Sequence, residues 1–253
     1  MFTRAIVRKP CQNLVRGITT AGLGLPDYER ALVQHRQYVL ALEQCGLEVI
    51  NLEPDEKYPD SVFVEDVALL TSSAAIITNP GAPSRKGEEK AMQDVLLRFY
   101  GNVERINPPG TIEAGDIMMV GRHFYIGLSQ RTNPEGALQL VRILERNGMT
   151  GSMVEMREML HLKTGLSYLE NNNLLVAGEF KDHPDFKRFN RILVPDSETY
   201  AANSVWINGY VLVPAGYPET AAAIANLGYK VIETDVSEFR KLDGGLSCLS
   251  LRF

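Results

Sequence analysis

Four stretches of the chain follow one pattern: an acidic or small residue, an apolar run, a turn, a second apolar run, then Gly or Pro. They begin at Asp66, Asp116, Gly165 and Ser204, at spacings of 50, 49 and 39 residues. The runs are rich in β-branched and aromatic residues. Turn formers such as Gly121, Asn171 to Asn173 and Asn208-Gly209 divide them, so each stretch reads as a β-hairpin. Helical patterns fill the intervals at residues 26–46, 88–100, 134–147 and 218–227. The first places Leu32, Tyr38, Val39 and Leu42 near one face, and the third opens with Pro134 and stops before Gly148. A short strand follows each helix, at 48–52, 102–106, 153–154 and 230–233.

Periods of this size, with a few strands in each, indicate radial repetition rather than a doubly wound sheet. A fifth unit is assembled from both ends of the chain, residues 247–253 pairing with an N-terminal strand at 5–8. That closure removes a free sheet edge. The expectation is an α/β ring with pseudo-five-fold radial repeats, a helix in every unit, and one domain over residues 1–253.

Composition narrows the function. A net charge of −5 and a pI near 5.5 do not suit a nucleic-acid surface, which needs clustered Lys and Arg. No apolar run approaches the ~20 residues of a membrane span, and charges break up the N-terminal stretch where a signal-peptide core would lie. Cys11, Cys45 and Cys248 form no disulfide framework and no zinc motif with the four histidines. These features suggest a cytoplasmic protein with no metal, no nucleic-acid partner and no membrane partner.

In a radial fold the first residues of the units converge near the axis at one end. Here they are Asp60 to Asp66, Glu113 to Asp116, His161 to Gly165, and Ser247-Cys248. A free cysteine is commonly a small buried hydrophobe, but Cys248 follows Asp243-Gly-Gly-Leu-Ser, a glycine-rich approach to a strand. A nucleophilic cysteine needs a proton acceptor or a cationic neighbour, and His161 supplies one. By contrast, His35 and His183 read as surface residues and His123 as a solvent-facing turn residue, while Cys45 reads as core. Strand-start carboxylates usually cap or face solvent. Two such clusters at equivalent positions suit a guanidinium, which pairs with carboxylates bidentately, and one could orient the histidine. Arg85 and Arg131 leave the ring at corresponding points and would hold an anionic end. A cation at one end and an anion at the other describe an amino acid like arginine.

The motifs Phe63-Val-Glu-Asp66, Glu113-Ala-Gly-Asp116, His161-Leu-Lys-Thr-Gly165 and Gly244-Gly-Leu-Ser-Cys248, in this order, resemble the guanidino-group-modifying superfamily. Within it they are similar to the dimethylarginine dimethylaminohydrolases of the short bacterial type, over essentially the whole chain. The resemblance implies a five-bladed αβ propeller (a pentein). It also implies hydrolysis of Nω-methylated arginine to citrulline and a methylamine through a covalent cysteine adduct, without cofactor. By motif, Cys248 would be the nucleophile, His161 the general acid/base and Glu113 its orienting carboxylate. Asp66 would hold the guanidinium with Glu65 beside it, Asp60 the α-amino group, and Arg85 with Arg131 the carboxylate. Phe63 would line the pocket, with the backbone near Ile18 and Leu242 closing it. The partner is then a small molecule, methylated arginine, and the protein a monomer or homodimer.

Arginine deiminases of the superfamily carry an aspartate two residues after the catalytic histidine, where this chain has Lys163. Losing that carboxylate weakens the grip on unsubstituted arginine. The alternatives are arginine deimination, amidino transfer to an amine, and a non-catalytic binding ring. Residues 17–24 (Gly-Ile-Thr-Thr-Ala-Gly-Leu-Gly) have the composition of a loop over the site.

Overall fold

The computed structural model describes residues 1–253 and contains five three-stranded sheets. In the first blade Ala68–Leu70 pairs antiparallel with Ala75–Ile77, which pairs parallel with Val103–Arg105. The second blade repeats this with Ile117–Val120, His123–Leu128 and Thr150–Glu155. The third uses Leu166–Tyr168, Asn173–Val176 and Asn190–Leu193, and the fourth Val205–Ile207, Tyr210–Pro214 and Lys230–Thr234. Both chain ends build the fifth: Leu251–Arg252 is antiparallel to Arg4–Arg8, which is parallel to Glu48–Leu52. One strand of each blade walls a shared cavity of about 160 Å³, its lining including Leu69, Met118, Ser167, Val205 and Leu251. The fold is a five-bladed αβ propeller, as the repeats predict.

A parallel connection needs a crossover, and four blades make it with a helix: Glu89–Leu96, Pro134–Arg146, Pro218–Ala225 and Tyr28–Gln44. The Pro134–Arg146 helix buries Ala137, Leu140, Ile143 and Leu144 against Phe124 and Ile126 of its sheet. Each large side chain so buried contributes roughly 1.5–3 kcal/mol. Asn133 caps the N-terminus by accepting from the Gly136 N–H.

The third blade departs from the expectation of a helix in every unit. Its crossover holds only two short 3₁₀ turns, Gly178–Phe180 and Pro184–Phe186. Pro184 disfavours helical geometry at His183, and Gly178 sits at φ +52°. Phe180 and Phe186, both fully buried, fill the space a helix would take. The strand that follows, Asn190–Leu193, is largely exposed, with only Ile192 half-buried.

Two further expectations are corrected. His35 is buried rather than exposed, because it lies on the inner stripe of the Tyr28–Gln44 helix with Ala31, Gln34, Tyr38, Ala41 and Leu42. Leu32 and Val39 are half-buried at the stripe's edge. His123 is half-buried, its ring between Thr150 Oγ1 (2.8 Å) and Ser152 Oγ (2.9 Å) across the parallel pair. Cys45 is core, as expected. No helix is long and apolar enough to cross a membrane.

Candidate active site

The residues just before the inner strands are where the repeats bring chemistry together. Val64–Val67 and Ala114–Asp116 are 3₁₀ turns, each leading directly into an inner strand. His161 begins the single helical turn Leu162–Gly165, its N–H donating to Thr164 Oγ1 at 3.3 Å. Cys248 lies in the turn Ser247–Leu249.

A cavity of about 40 Å³ is lined by Ile18, Asp60, Phe63, Asp66, Arg85, Glu113, Arg131, Leu160, His161, Leu242, Asp243, Gly244 and Cys248. All the sequence-derived site residues but Glu65 converge there. Glu65 lines the axial cavity instead, where its carboxylate meets Lys163 Nζ (2.6 Å), Ser247 Oγ (2.8 Å) and Arg252 (3.2 Å). The half-buried Lys163 is thus held in an ion pair with the buried Glu65.

Glu113 Oε2 lies 3.0 Å from His161 Nε2, while its Oε1 accepts the Ala82 N–H at 3.0 Å. Asp116, fully buried, accepts from Ser129 Oγ (2.7 Å) and from the Leu162 N–H (3.0 Å), fixing the turn that carries the histidine. Burial opposes a charged His161. The Asp116 carboxylate, then the Glu113 hydrogen bond and Asp66, overcome it and hold the imidazole up to about 9. Glu113 is correspondingly lowered to about 2: burial opposes its charge, but the His161 hydrogen bond and Arg85 prevail. Asp116 is a contributor from the converging acidic clusters to which the motifs assign no individual role. Its place at the same repeat position as Asp66 was the available signal.

Cys248 is a buried thiol. Desolvation, then the charges of Asp66 and Glu65, push it up to about 12, against the Gly245 N–H and Lys163. The Gly245 N–H donates to Sγ at 3.4 Å. These surroundings favour a neutral thiol and an imidazolium on the walls of the same cavity.

The two arginines of the cavity differ in their surroundings. Arg85 is buried and engaged by Glu88 (2.9 and 2.8 Å), Asp66 (2.5 Å) and the carbonyls of Phe63 (3.0 Å) and Asp60 (3.3 Å). Arg131 is partly exposed, and its guanidinium meets only Glu113 at 3.7 Å. Asp60 Oδ1 accepts the Ile18 N–H at 3.0 Å. Ile18 brings the 17–24 loop to the cavity wall, and the loop is tied down by Thr19 Oγ1 to the Lys241 carbonyl (2.6 Å) and by the Thr20 N–H to Asp243 Oδ2 (2.6 Å). A second cavity, about 370 Å³, reaches Cys248 and His161 from the side of Thr20, Ala21, Leu23 and Tyr200.

Asp66, Glu113 and His161 each bring one donor atom within 4.8 Å of the others, the spacing of a three-ligand metal set. Their donors are already committed, Asp66 to Arg85 and the Gly115 N–H, Glu113 to His161 and the Ala82 N–H. The carboxylate oxygens can still accept further hydrogen bonds from a planar, donor-rich cation. The set places two carboxylates and an imidazole around a space next to a thiol.

A five-bladed αβ ring closing a cysteine, a histidine and several carboxylates around one small cavity is a pentein. The family described as N,N dimethylarginine dimethylhydrolase, eukaryotic, matches residues 27–183. N(G),N(G)-dimethylarginine dimethylaminohydrolase of Pseudomonas aeruginosa is 58% identical over 254 residues, covering 100% of both chains. The protein of that name from Streptomyces coelicolor is 34% identical over 98% of this chain and 96% of its own. The chain belongs to the dimethylarginine dimethylaminohydrolase family. A crystal structure of the Pseudomonas protein, a cysteine-to-serine mutant complexed with citrulline, matches with a TM-score of 0.99 over 100% of both chains. The N-terminal domain of ArgZ, a cyanobacterial arginine dihydrolase, shares the fold at 21% identity, with a TM-score of 0.90 over 100% of this chain and 97% of that domain.

Proposed function

We propose that residues 1–253 form one catalytic domain that hydrolyses Nω-methylated arginine, mono- or asymmetrically dimethylated, to citrulline and the corresponding methylamine. The observation that carries this reading is the single cavity lined together by Cys248, the His161–Glu113 pair, Asp66, Asp60 and Arg131. The substrate guanidinium lies between Asp66 and Glu113. The α-amino group meets Asp60, and Arg131 receives the carboxylate, with Arg85 fixing Asp66 from behind.

A bound guanidinium brings positive charge against Cys248, offsetting the carboxylates that hold its thiol up. The thiol then loses its proton to solvent, His161 being already charged, and the thiolate attacks the guanidinium carbon. His161 in its charged form gives its proton to the methylated nitrogen as the carbon–nitrogen bond breaks, releasing the amine and leaving an S-linked thiouronium. Neutral His161 next removes a proton from water, whose oxygen bonds to the same carbon. The carbon–sulfur bond breaks, the new hydroxyl gives up its proton to solvent, and citrulline leaves with the thiolate restored. Glu113 holds the imidazole in position throughout, the part played by the third member of a triad. Lys163, paired with Glu65, places no carboxylate against the leaving nitrogen, which leaves that side open to methyl groups.

The test is citrulline release from asymmetric dimethylarginine, and separately from arginine, by the wild-type protein and Cys248→Ser. Citrulline from dimethylarginine alone, absent with Cys248→Ser, is expected. Turnover mainly of arginine, or turnover retained by Cys248→Ser, would overturn the reading.

A further inference from the structure

Four of the five blades place a side chain of evident chemistry at the head of the inner strand: Asp66, Asp116, His161 and Cys248. The fourth blade contributes Asn203, buried at the end of the 3₁₀ element Asp196–Ala202. Its carboxamide Oδ1 accepts the Ser247 N–H at 2.9 Å. Its Nδ2 donates to the Lys163 carbonyl at 2.8 Å and to Ser247 Oγ at 3.0 Å. One planar group therefore holds two residues from different blades, the neighbour of Cys248 and a member of the helical turn begun by His161.

The packing around this amide is equally close. A Cβ on Gly245 would lie 2.5 Å from Asn203 Cγ and Oδ1, so only glycine lets the loop descend onto the carboxamide. Gly245 is also the residue whose N–H reaches Cys248 Sγ. Behind Asn203, Ser167 of the third blade secures the backbone on both sides. Its hydroxyl lies 2.7 Å from the carbonyls of both Ala202 and Ser204 and accepts the Ser204 N–H at 3.1 Å. Three hydrogen bonds from a side chain anchored in this way leave little freedom to the loop it holds.

We propose that Asn203 is a positioning residue for the reaction, locking the segment of Cys248 to the turn of His161 so that nucleophile and proton donor keep one spacing. It lies outside the small cavity that takes the substrate and acts through the Gly245–Cys248 loop. The consequence is separable from substrate binding, since Asp60, Asp66 and Arg131 belong to other blades. Removing the amide releases Ser247, loosens the Gly245 N–H from the sulfur, and lets the reacting groups drift by a fraction of an ångström. Reaction rates are highly sensitive to such shifts.

The inference rests on the roles proposed for Cys248 and His161, and wild-type turnover by Cys248→Ser would remove that basis independently. The experiment compares Asn203→Ala and Asn203→Asp with wild type in dimethylarginine turnover and in the pH dependence of iodoacetamide alkylation at Cys248, read by peptide mass. Asn203→Asp keeps the acceptor for Ser247 but loses the donor to Lys163. Both variants are expected to lower kcat roughly 10- to 100-fold with KM within about threefold. Alkylation of Cys248 should move to higher pH in both, which loss of overall stability would not produce in folded protein. Should Asn203→Ala fail to fold, Asn203→Ser, too short to span Ser247 and Lys163 together, is read in its place. A folded variant with wild-type kcat and alkylation profile overturns the proposal, as does a rise in KM with kcat unchanged.

Discussion

The imidazole of His161 rests directly on Gly115: a Cβ there would lie 2.8 Å from Nδ1 and 3.0 Å from Asp66 Oδ1. The glycine of Glu113-Ala-Gly-Asp116 is thus a contact surface shared by the histidine and Asp66. Its N–H also donates to Asp66 at 3.1 Å. Gly115→Ala pushes the ring off its seat while leaving Glu113 in place. The expected result is a loss of roughly 10- to 100-fold in kcat, with the melting temperature changed by only a few degrees. Steady-state kinetics beside a thermal melt checks it, and unchanged kcat would mean that the ring has room to spare.

His161 has to carry a proton when the amine departs, so its titration sets an upper pH limit. With the imidazole held up to about 9, kcat/KM should fall as pH rises through that region. Glu113→Gln removes a negative charge and weakens the hydrogen bond, so the basic limb should move to lower pH. Stability follows the same sign. A histidine raised from its ordinary 6.5 stabilises the fold fully below 6.5, and the contribution fades as pH climbs through about 9. His161→Ala should therefore flatten the decline in melting temperature over that window.

The thiol makes the opposite demand. Because burial, Asp66 and Glu65 hold Cys248 up to about 12, iodoacetamide should label the empty enzyme slowly at neutral pH. A small guanidinium ion in the cavity should offset those charges and bring labelling to lower pH at sub-saturating occupancy. Guanidinium that only protects, at every concentration, would show that charge compensation plays no part in forming the thiolate.

The ring and its reactive rim were legible because both follow from position in a repeat. The hairpins at Asp66, Asp116, Gly165 and Ser204 recur with their turn formers, and radial closure brings their first residues together. What stayed hidden depends on partners far apart in sequence. The destination of Glu65 is set by Lys163 and Arg252, from two other blades, and nothing in Phe63-Val-Glu-Asp66 distinguishes it from Asp66. Asn203 resembles any polar residue before a strand until Ser247 and Lys163 are placed around it. His35 reads as surface because it and the adjacent Gln34 are polar, although both lie on the buried stripe of their helix. The missing helix of the third blade was signalled by Gly178 and Pro184, but the regularity of the other units outweighed them.

Arg85 and Arg131 look equivalent in sequence, each in a loop after a hairpin, yet their surroundings assign them different work. Every nitrogen of the Arg85 guanidinium meets a carboxylate or carbonyl of the protein itself, with Asp66 and Glu88 buried against it. Arg85→Ala leaves those two carboxylates without their cation, a loss of about 3–5 kcal/mol. Unfolding in urea should show it directly. Arg131 keeps its donors free toward the cavity, and Arg131→Ala should leave stability within about 0.5 kcal/mol. Its effect belongs to substrate binding: a charge-assisted hydrogen bond to the substrate carboxylate contributes about 1.5–3 kcal/mol, so KM should rise roughly 10- to 100-fold. Arg131→Lys should recover only part of that, since an ammonium cannot match the carboxylate bidentately. If instead Arg85→Ala folds with wild-type stability and raises KM alone, Arg85 is a free ligand for substrate and the two arginines act as a pair.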